Sequence, residues 1–402
     1  MSPTTRQLTL ATLAFTVCFY GWSLLGPLSP DLQDHLDLSD FQSSAMVAVP
    51  VLLGSVMRIP LGWLTDRFGG RLLFVILMAF TPLPLIALAL WHDSLAAMLV
   101  FGFLLGFAGA SFAVGVPFVN GWYTPERQGF ALGIYGMGMG GTVLAGLTAP
   151  RISDHWGLSA PFLVAAGLIV VTLVIWAVMA RDAARERPGG PAPGMFASLS
   201  VFRVSGRAWA LTLFYFLAFG GFVAMFLYLP KLLTDVHDLT KSDAGGRAAG
   251  FALLAVIARP TGGVLSDRIG AARVLLVSFI TVTVLAFVLA AAYTSMVPLT
   301  IACLTMAVAL GLGMGATFKL VPEWFPDRVG SVTGVVGAAG GLGGFFPPLV
   351  MGVVKSATGG YGLGFVLMAL VGVACLVVLF ALRPARPSPT PAAVPTASSG
   401  AQ

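Results

Sequence analysis

Charged residues are scarce in this chain: only 9% of its 402 residues are Asp, Glu, Lys or Arg, and the mean hydropathy is +0.93. A soluble domain carries about 25% charged residues, so the composition excludes an ordinary soluble protein and indicates an integral membrane protein. The net charge of +6 does not indicate nucleic-acid binding, because the arginines are spread along the loops instead of forming one patch.

Cysteine is also rare, and the sequence offers no recognisable catalytic arrangement. Cys18, Cys303 and Cys375 lie far apart in apolar segments, which excludes a disulfide framework or a cysteine-based zinc site. No Ser/His/Asp or Cys/His constellation is found, and the histidines fall in predicted outer loops: His35, His92, His155 and His237. We therefore expect neither an enzyme nor a protein with a metal ion or an organic cofactor.

The chain does contain many apolar runs of about 20 residues, the length of a membrane-spanning helix, whereas barrel strands alternate over about 10 residues. The runs predict an all-α membrane protein in which twelve transmembrane helices form two six-helix bundles. These bundles are residues 1–180 and 208–383, joined by a cytoplasmic linker at 181–207 and followed by a disordered tail at 384–402. The predicted spans are 8–30, 43–65, 72–91, 95–119, 129–150, 160–180, 208–230, 245–266, 273–293, 297–322, 330–353 and 361–382.

Lysine and arginine are divided unequally between the two sets of predicted loops. The loops on the same side as both termini contain fourteen of the 22 Lys and Arg residues, and the loops on the other side contain five. Because positive residues accumulate in cytoplasmic loops, we expect both termini in the cytoplasm and a multi-pass protein of the inner (cytoplasmic) membrane.

The two halves of the chain repeat one another. Arg58, Asp66 and Arg67 each recur as the same residue type 201 positions later, at Arg259, Asp267 and Arg268. The same offset relates glycines of the fifth and eleventh spans: Gly133 and Gly334, Gly136 and Gly337, Gly140 and Gly341. One offset shared by distant motifs indicates duplication, and parallel repeats of six spans are a transporter architecture.

Arg58 and Arg259 form the principal candidate site. Arg58 lies eight residues before Asp66, which marks the end of its span, so it is about 12 Å deep in a hydrocarbon core about 30 Å thick. A charge at this depth costs several kcal/mol, and no predicted span carries Asp or Glu at mid-membrane to offset it. The pair therefore predicts a small anion held between the halves by charge-assisted guanidinium hydrogen bonds.

Three aromatic residues and a lysine could complete the site. Tyr215 and Phe219 are four residues apart and share a helix face, and Phe112 lies in the fourth span, although ordinary packing also explains such residues. Glycines crowd the fifth and eleventh spans, where they permit close helix contact or expose backbone to a ligand. Lys319 lies about four residues from the end of its span, so it either snorkels to the surface or takes part in coupling.

One motif resembles a signature of the major facilitator superfamily. It is the sequence GWLTDRFGGR from Gly62 to Arg71, which is echoed from Gly263 to Gly270. The resemblance covers all twelve predicted spans. It implies gating roles for Asp66, Arg67, Asp267 and Arg268.

Two longer stretches resemble the signatures of the nitrate/nitrite porter family: Gly109 to Thr142 and Gly340 to Pro348. The resemblance implies that Arg58 and Arg259 bind nitrate and that Tyr215, Phe219 and Phe112 frame it. In many relatives an asparagine of the fifth-span glycine motif contacts the anion. Here the corresponding position is Met139, or Gly140, so both are included in the predicted site together with Gly341, the counterpart of Gly140.

The sequence thus predicts a monomeric secondary transporter of nitrate or nitrite that works by alternating access. A negative cell interior opposes anion entry by about 2.3 kcal/mol per 100 mV, so uptake must be driven. Proton symport is the preferred interpretation, and exchange for internal nitrite is the alternative. A porter for a small carboxylate such as formate or oxalate would also need buried arginines, whereas a nitrate sensor is disfavoured because no soluble output domain is found.

Overall fold

The structure of the chain, a computed structural model, describes residues 2–183, 194–358 and 360–382. Within these ranges the regular structure is helical, with short 3-10 and π segments and no strand. The predicted tail and part of the predicted linker, residues 184–193, lie outside the described residues.

Twelve long helices follow one another along the described chain. Ten of those described, all except α1 and α11, are long and apolar enough by length and composition to cross a membrane, and the predicted all-α membrane fold is confirmed. The connections contain two short helical stretches, Ser29–Leu36 and Met195–Val204. The helices are α1 Pro3–Trp22, α2 Phe41–Phe68, α3 Gly70–Leu90, α4 Leu95–Asn120, α5 Pro125–Trp156, α6 Ala160–Met179, α7 Gly206–His237, α8 Asp243–Ile269, α9 Ala271–Ala292, α10 Met296–Trp324, α11 Val329–Thr358 and α12 Gly362–Ala381.

Proline accounts for the largest differences between predicted and observed helix ends. Helix α1 begins earlier than predicted, with Ser2 as its N-cap and Pro3 in its first turn, and it ends at Trp22 before Pro27. Helices α5 and α7 instead continue past Pro150 and Pro230, which lie inside them. Proline is tolerated within membrane helices because neighbouring groups satisfy the freed backbone carbonyls.

Four helices depart from regular α geometry near the middle of their length. Helix α2 is interrupted at Met57, α4 is 3-10 helical at Gly106–Ala110, α5 is 3-10 helical at Met137–Gly140, and α7 is π-helical at Phe216–Gly220. Such interruptions free backbone carbonyls and frequently mark binding sites in transporters. All four lie next to residues that the sequence singles out.

Contacts between the two halves are made chiefly by α2 against α11 and by α5 against α8. Glycine makes these contacts possible: a Cβ atom on Gly62 would overlap the carbonyl of Gly330, and one on Gly263 would overlap the carbonyl of Gly129. The backbones therefore meet directly, as in tightly packed membrane helices.

The offset of 201 residues is also visible in the packing. Gly334 of α11 packs on the backbone of Arg58, and its counterpart Gly133 of α5 packs on Arg259 and Pro260. Further along, Gly341 faces Ser55, and the equivalent pair is Gly140 and Val256: the nearest atom to a Cβ built on Gly140 is Val256 Cγ1, 3.5 Å away. The α2–α11 and α5–α8 interfaces are thus two copies of one arrangement, and the two candidate arginines lie in the middle of it.

Candidate functional site

Arg58 is buried, with 2% of its surface exposed, at the point where α2 resumes after its break. Its Nε donates to the carbonyl of Gly109, 3.2 Å away, and its Nη1 donates to the carbonyl of Gly337 at 2.5 Å. Gly109 belongs to the 3-10 segment of α4, and Gly337 lies in α11. Carbonyls of both halves therefore hold this guanidinium.

Arg259 is 1% exposed, but it has fewer hydrogen bonds than Arg58. Its Nη1 lies 3.2 Å from the sulfur of Met139. Its Nε and Nη2 have no hydrogen-bond partner among the described residues. The guanidinium lies directly against Gly136, where a Cβ atom would overlap it. The counterpart of this contact is looser, because a Cβ on Gly337 would be 3.2 Å from Arg58 Cδ.

Neither arginine forms an ion pair within the described part of the chain. Both buried guanidinium groups carry a positive charge and therefore repel each other. A buried donor without a partner costs about 1–3 kcal/mol, and a charged one costs more. An anion between the two groups would supply the missing acceptors and offset the repulsion.

An aromatic cluster connects the two arginines. The Arg259 Cζ lies 4.8 Å from the ring centre of Phe112, and the Arg58 Cζ lies 5.6 Å from that of Phe219. Between them the ring of Tyr215 stacks on Phe112 at 6.1 Å and on Phe219 at 5.2 Å, with interplanar angles of 5° in both cases. The three aromatic residues predicted from the sequence are therefore brought together, and their rings exclude water from the guanidinium groups.

Two further neighbours were not predicted. Phe318 of α10 makes edge contacts with both Phe112 and Tyr215 at 4.6 Å. Ser55 is buried beside Arg58 and Gly341, and its hydroxyl has no partner among the described groups. Ser55 could have been found, since it lies three residues before Arg58 and hence on the same helix face. Nothing in the sequence distinguishes Phe318 from other buried aromatics.

Met139 and Gly140, the two alternatives for the asparagine position, lie in different surroundings. Met139 contacts Arg259 through its sulfur, whereas Gly140 lies near Val256 and away from both arginines. A thioether is a weak acceptor and cannot donate a hydrogen bond to an anion. The Arg259 guanidinium therefore has fewer of its N–H groups hydrogen-bonded than the Arg58 guanidinium.

Asp66 and Asp267 cap the helices of the opposite half. The carboxylate of Asp66 accepts hydrogen bonds from the backbone N–H of Gly330 and Ser331, each at 2.8 Å, at the start of α11. Asp267 likewise accepts from Gly129 and Phe130 of α5 at 3.0 and 2.7 Å. These bonds close the end of the molecule that contains Arg67, Arg71, Arg127 and Arg268, called the arginine-rich face below.

Lys319 does not snorkel. It is 8% exposed, and its Nζ lies 2.8 Å from Asp267 Oδ1 and donates to the carbonyl of Pro125. Its counterpart by the 201-residue offset is Phe118, a buried apolar residue, so this ion pair has no sequence equivalent at Asp66. The lysine therefore joins α10 to the contact between α5 and α8.

Arg67 and Arg268 are both exposed on the arginine-rich face. The Arg67 Cζ lies 5.6 Å from the Trp63 ring and 5.4 Å from the Phe68 ring. Among the described residues neither arginine bridges the two halves, so their gating roles stay predictions.

The chain is similar in sequence to known transport proteins. The family model described as Major Facilitator Superfamily matches residues 11–249 and 232–401. The chain is 44% identical over 349 residues to the probable nitrate/nitrite transporter NarK2 of Mycobacterium tuberculosis (strain ATCC 25618 / H37Rv), an alignment that covers 86% of this chain and 88% of the relative. It is 35% identical over 374 residues to the nitrite extrusion protein of Bacillus subtilis (strain 168), with 93% of each chain covered.

A solved structure supports the same fold. The crystal structure of the human organic anion transporter MFSD10 superimposes with a TM-score of 0.80, and the match covers 94% of this chain and 100% of that one at 16% identity. The family model and the near-complete alignments to named relatives show that the chain belongs to the major facilitator superfamily and, within it, to the nitrate/nitrite porter family.

Proposed function

We propose that this protein is a secondary transporter of nitrate or nitrite, which it binds between Arg58 and Arg259. The observation that carries the proposal is the pair of unpartnered donors on Arg259, Nε and Nη2, buried beside the aromatic cluster. The chain aligns with nearly the whole length of relatives whose names describe nitrate/nitrite transport or nitrite extrusion. This supports transport rather than catalysis.

The geometry of the site favours a small planar anion. Each guanidinium is a planar donor, and the stacked rings of Phe112, Tyr215 and Phe219 place flat apolar surfaces beside the two groups. Nitrate is planar and spreads its charge over three oxygens, so it can accept hydrogen bonds in its plane while its faces contact the rings. We assign the Tyr215 and Ser55 hydroxyls as additional hydrogen-bond donors to the anion.

The closed arginine-rich face supports a mechanism of alternating access. With Asp66 and Asp267 capping the opposing helices, an anion cannot leave the site towards that face. We infer that the bundles 1–180 and 208–383 rock about the site and break these caps in the other state. Without an anion the repulsion between Arg58 and Arg259 opposes full closure, and binding removes this penalty.

Proton symport is the coupling that we favour, with Lys319 and Asp267 as the responsive pair. Their ion pair is buried, with side-chain exposures of 10% and 9%, so its strength depends on both charges being present. Loss of either charge would remove the attraction between the two side chains and weaken one of the two closures. Exchange of nitrate for nitrite is the second candidate, because no acid lies at the arginine pair itself in the described chain.

The test is a flux assay with the purified protein in liposomes. We expect labelled nitrate to be taken up, to be inhibited by nitrite more strongly than by formate or oxalate, and to accelerate with an inward proton gradient. Stronger inhibition by the carboxylates would make the protein a carboxylate porter. Uptake that requires internal nitrite and ignores the proton gradient would establish exchange, and binding without flux would establish a sensor.

The membrane orientation is part of the proposal. The described loops of the arginine-rich face carry most of the positive charges, which supports a cytoplasmic location for this face and for both termini in the inner membrane. Reaction of a single introduced cysteine with an impermeant maleimide in intact cells tests this. We expect R127C to be protected and R151C, at the other end of α5, to react.

A further inference from the structure

Two histidines and an aspartate meet on the face opposite the arginine-rich face. His35 is in the short helix Ser29–Leu36 that links α1 to α2, and His92 and Asp93 form the turn between α3 and α4. One nitrogen of each ring and a carboxylate oxygen of Asp93 lie within 4.8 Å of one another. The sequence alone gave no reason to join these residues, since His35 and His92 are separated by two helices.

The ring of His92 is held in the form that binds metals. Its Nδ1 lies 2.9 Å from the carbonyl oxygen of Ala89, which can only accept, so Nδ1 donates and Nε2 is the ring nitrogen left to face a metal ion. Nε2 points to the cluster, 3.7 Å from Asp93 Oδ1. The hydroxyl of Ser159 at the start of α6 donates to the same carbonyl at 2.8 Å and fixes it in place. A metal-binding histidine is usually oriented by such a carbonyl.

The carboxylate is ionised and reaches both rings. His35 Nε2 lies 2.6 Å from Asp93 Oδ1. This hydrogen bond lowers the pKa of Asp93 below its ordinary value. The Asp93 and His35 side chains are 74% and 41% exposed, which leaves the cluster open to ions and to water.

We propose that His35, His92 and Asp93 form a binding site for a divalent transition-metal ion of the zinc class. Two imidazole nitrogens and one carboxylate oxygen suit Zn²⁺ and disfavour Ca²⁺ and Mg²⁺, which prefer oxygen ligands. A water molecule from the open side provides the fourth ligand. The site does not involve the anion pocket and is independent of the proposed transport function.

Binding requires a small rearrangement of exposed side chains. Ligands of a tetrahedral Zn²⁺ with bonds of about 2.0–2.1 Å are roughly 3.3 Å apart, so His35 and Asp93 separate while His92 and Asp93 approach. The metal takes the place of the hydrogen bond between His35 Nε2 and Asp93 Oδ1, and the proton of that bond is released to the solvent. The ion then ties the α1–α2 connection to the α3–α4 turn and, through Ala89 and Ser159, to α6.

Metal titration of the full-length protein tests the site. The protein is purified with its affinity tag removed and is dialysed against a chelator, and Zn²⁺ is added in a calorimeter. We expect one Zn²⁺ per chain, a rise in Tm on binding, and no comparable effect of Mg²⁺ or Ca²⁺. H35A and H92A should each lose at least ~10-fold in affinity, since even residues that only orient a ligand contribute 10–100-fold.

H155A is the matched control, because His155 is also an exposed histidine on this face but lies at the end of α5 outside the cluster. It should bind Zn²⁺ as the unaltered protein does. Equal losses in H155A and H92A, or unchanged affinity in both H35A and H92A, would contradict the site. Should the variants fold poorly, Co²⁺ added to the unaltered protein decides: visible ligand-field bands of an imidazole-bound ion support the site, and their absence at saturation rejects it.

Discussion

Arg58 and Arg259 occupy equivalent positions in the two repeats but have unequal hydrogen bonding. Arg58 is held by two carbonyls, whereas two nitrogens of Arg259 have no partner among the described residues and its third contact is a thioether. The Arg58 guanidinium is therefore already held in place before an anion binds. Arg259 is the half whose hydrogen bonding depends on the ligand, and we expect it to contribute more to anion affinity.

R259K should reduce nitrate uptake by about tenfold or more, because lysine keeps the charge but loses the planar fork, and one charge-assisted hydrogen bond contributes about 1.5–3 kcal/mol. Initial uptake rates in liposomes measure this. The control is R247K, an arginine of the same helix that is exposed and paired with Asp243. Equal rates for R259K and the unaltered protein would exclude Arg259 from the site.

At the scale of the helices, hydropathy predicted the number and type of elements well because membrane helices must satisfy their own backbone hydrogen bonds. It did not predict the 3-10 and π segments, since these depend on packing against other helices. The arginines and the aromatic trio could be chosen from depth, helical spacing and resemblance. The Lys319–Asp267 pair could not, because the two residues lie on different helices and only the folded packing joins them.

Glycine at the α5–α8 contact gives a prediction at this scale. G136A should abolish most uptake, because the new Cβ would overlap the Arg259 guanidinium and displace it. The matched change is G146A, ten residues along the same helix, where nothing lies within 4 Å of a built Cβ. Both substitutions raise helix propensity by up to about 1 kcal/mol, so propensity cannot explain a difference between them. Similar uptake by both variants would show that Gly136 is not needed for the site.

Lys319 provides a second test between elements. K319Q removes the buried charge next to Asp267, and we expect the acceleration of uptake by an inward proton gradient to be lost while nitrate counterflow without a gradient continues. K231Q, which changes a 59% exposed lysine, serves as the control. A normal response of K319Q to the gradient would assign the coupling to another group.

At the scale of the whole molecule, closure of the arginine-rich face rests on two carboxylates and the backbone N–H groups of the opposite half. Each carboxylate accepts two such bonds at the start of α5 or α11. An anion near the N-terminus of a helix also interacts favourably with the helix dipole. Apolar side chains that separate from one neighbour can contact another, so their contribution changes little between the two access states. The equilibrium should therefore respond more to the charges of Asp66 and Asp267.

The D66N/D267N double variant should shift the population towards the state open at the arginine-rich face. Spin labels on L72C and A272C, exposed positions in opposite halves on this face, report the change, since the natural cysteines of the described chain are buried. We expect a longer mean distance in the double variant. D327N, an exposed aspartate on the same face, should leave the distance unchanged. An unaltered distance in D66N/D267N would place the closure elsewhere.

The π segment Phe216–Gly220 has a consequence for how this pocket is framed. A π turn accommodates one residue more than the α-helix on either side of it, and one residue corresponds to about 100° of rotation around the axis. Deleting one residue from a regular α-helix would rotate everything after it by that angle, whereas deleting one from this π turn, such as Ala218, would give an unbroken α-helix whose two segments stay in phase. Phe219 would then follow Tyr215 by three residues instead of four, so the parallel stack of the two rings beside Arg58 depends on the extra residue.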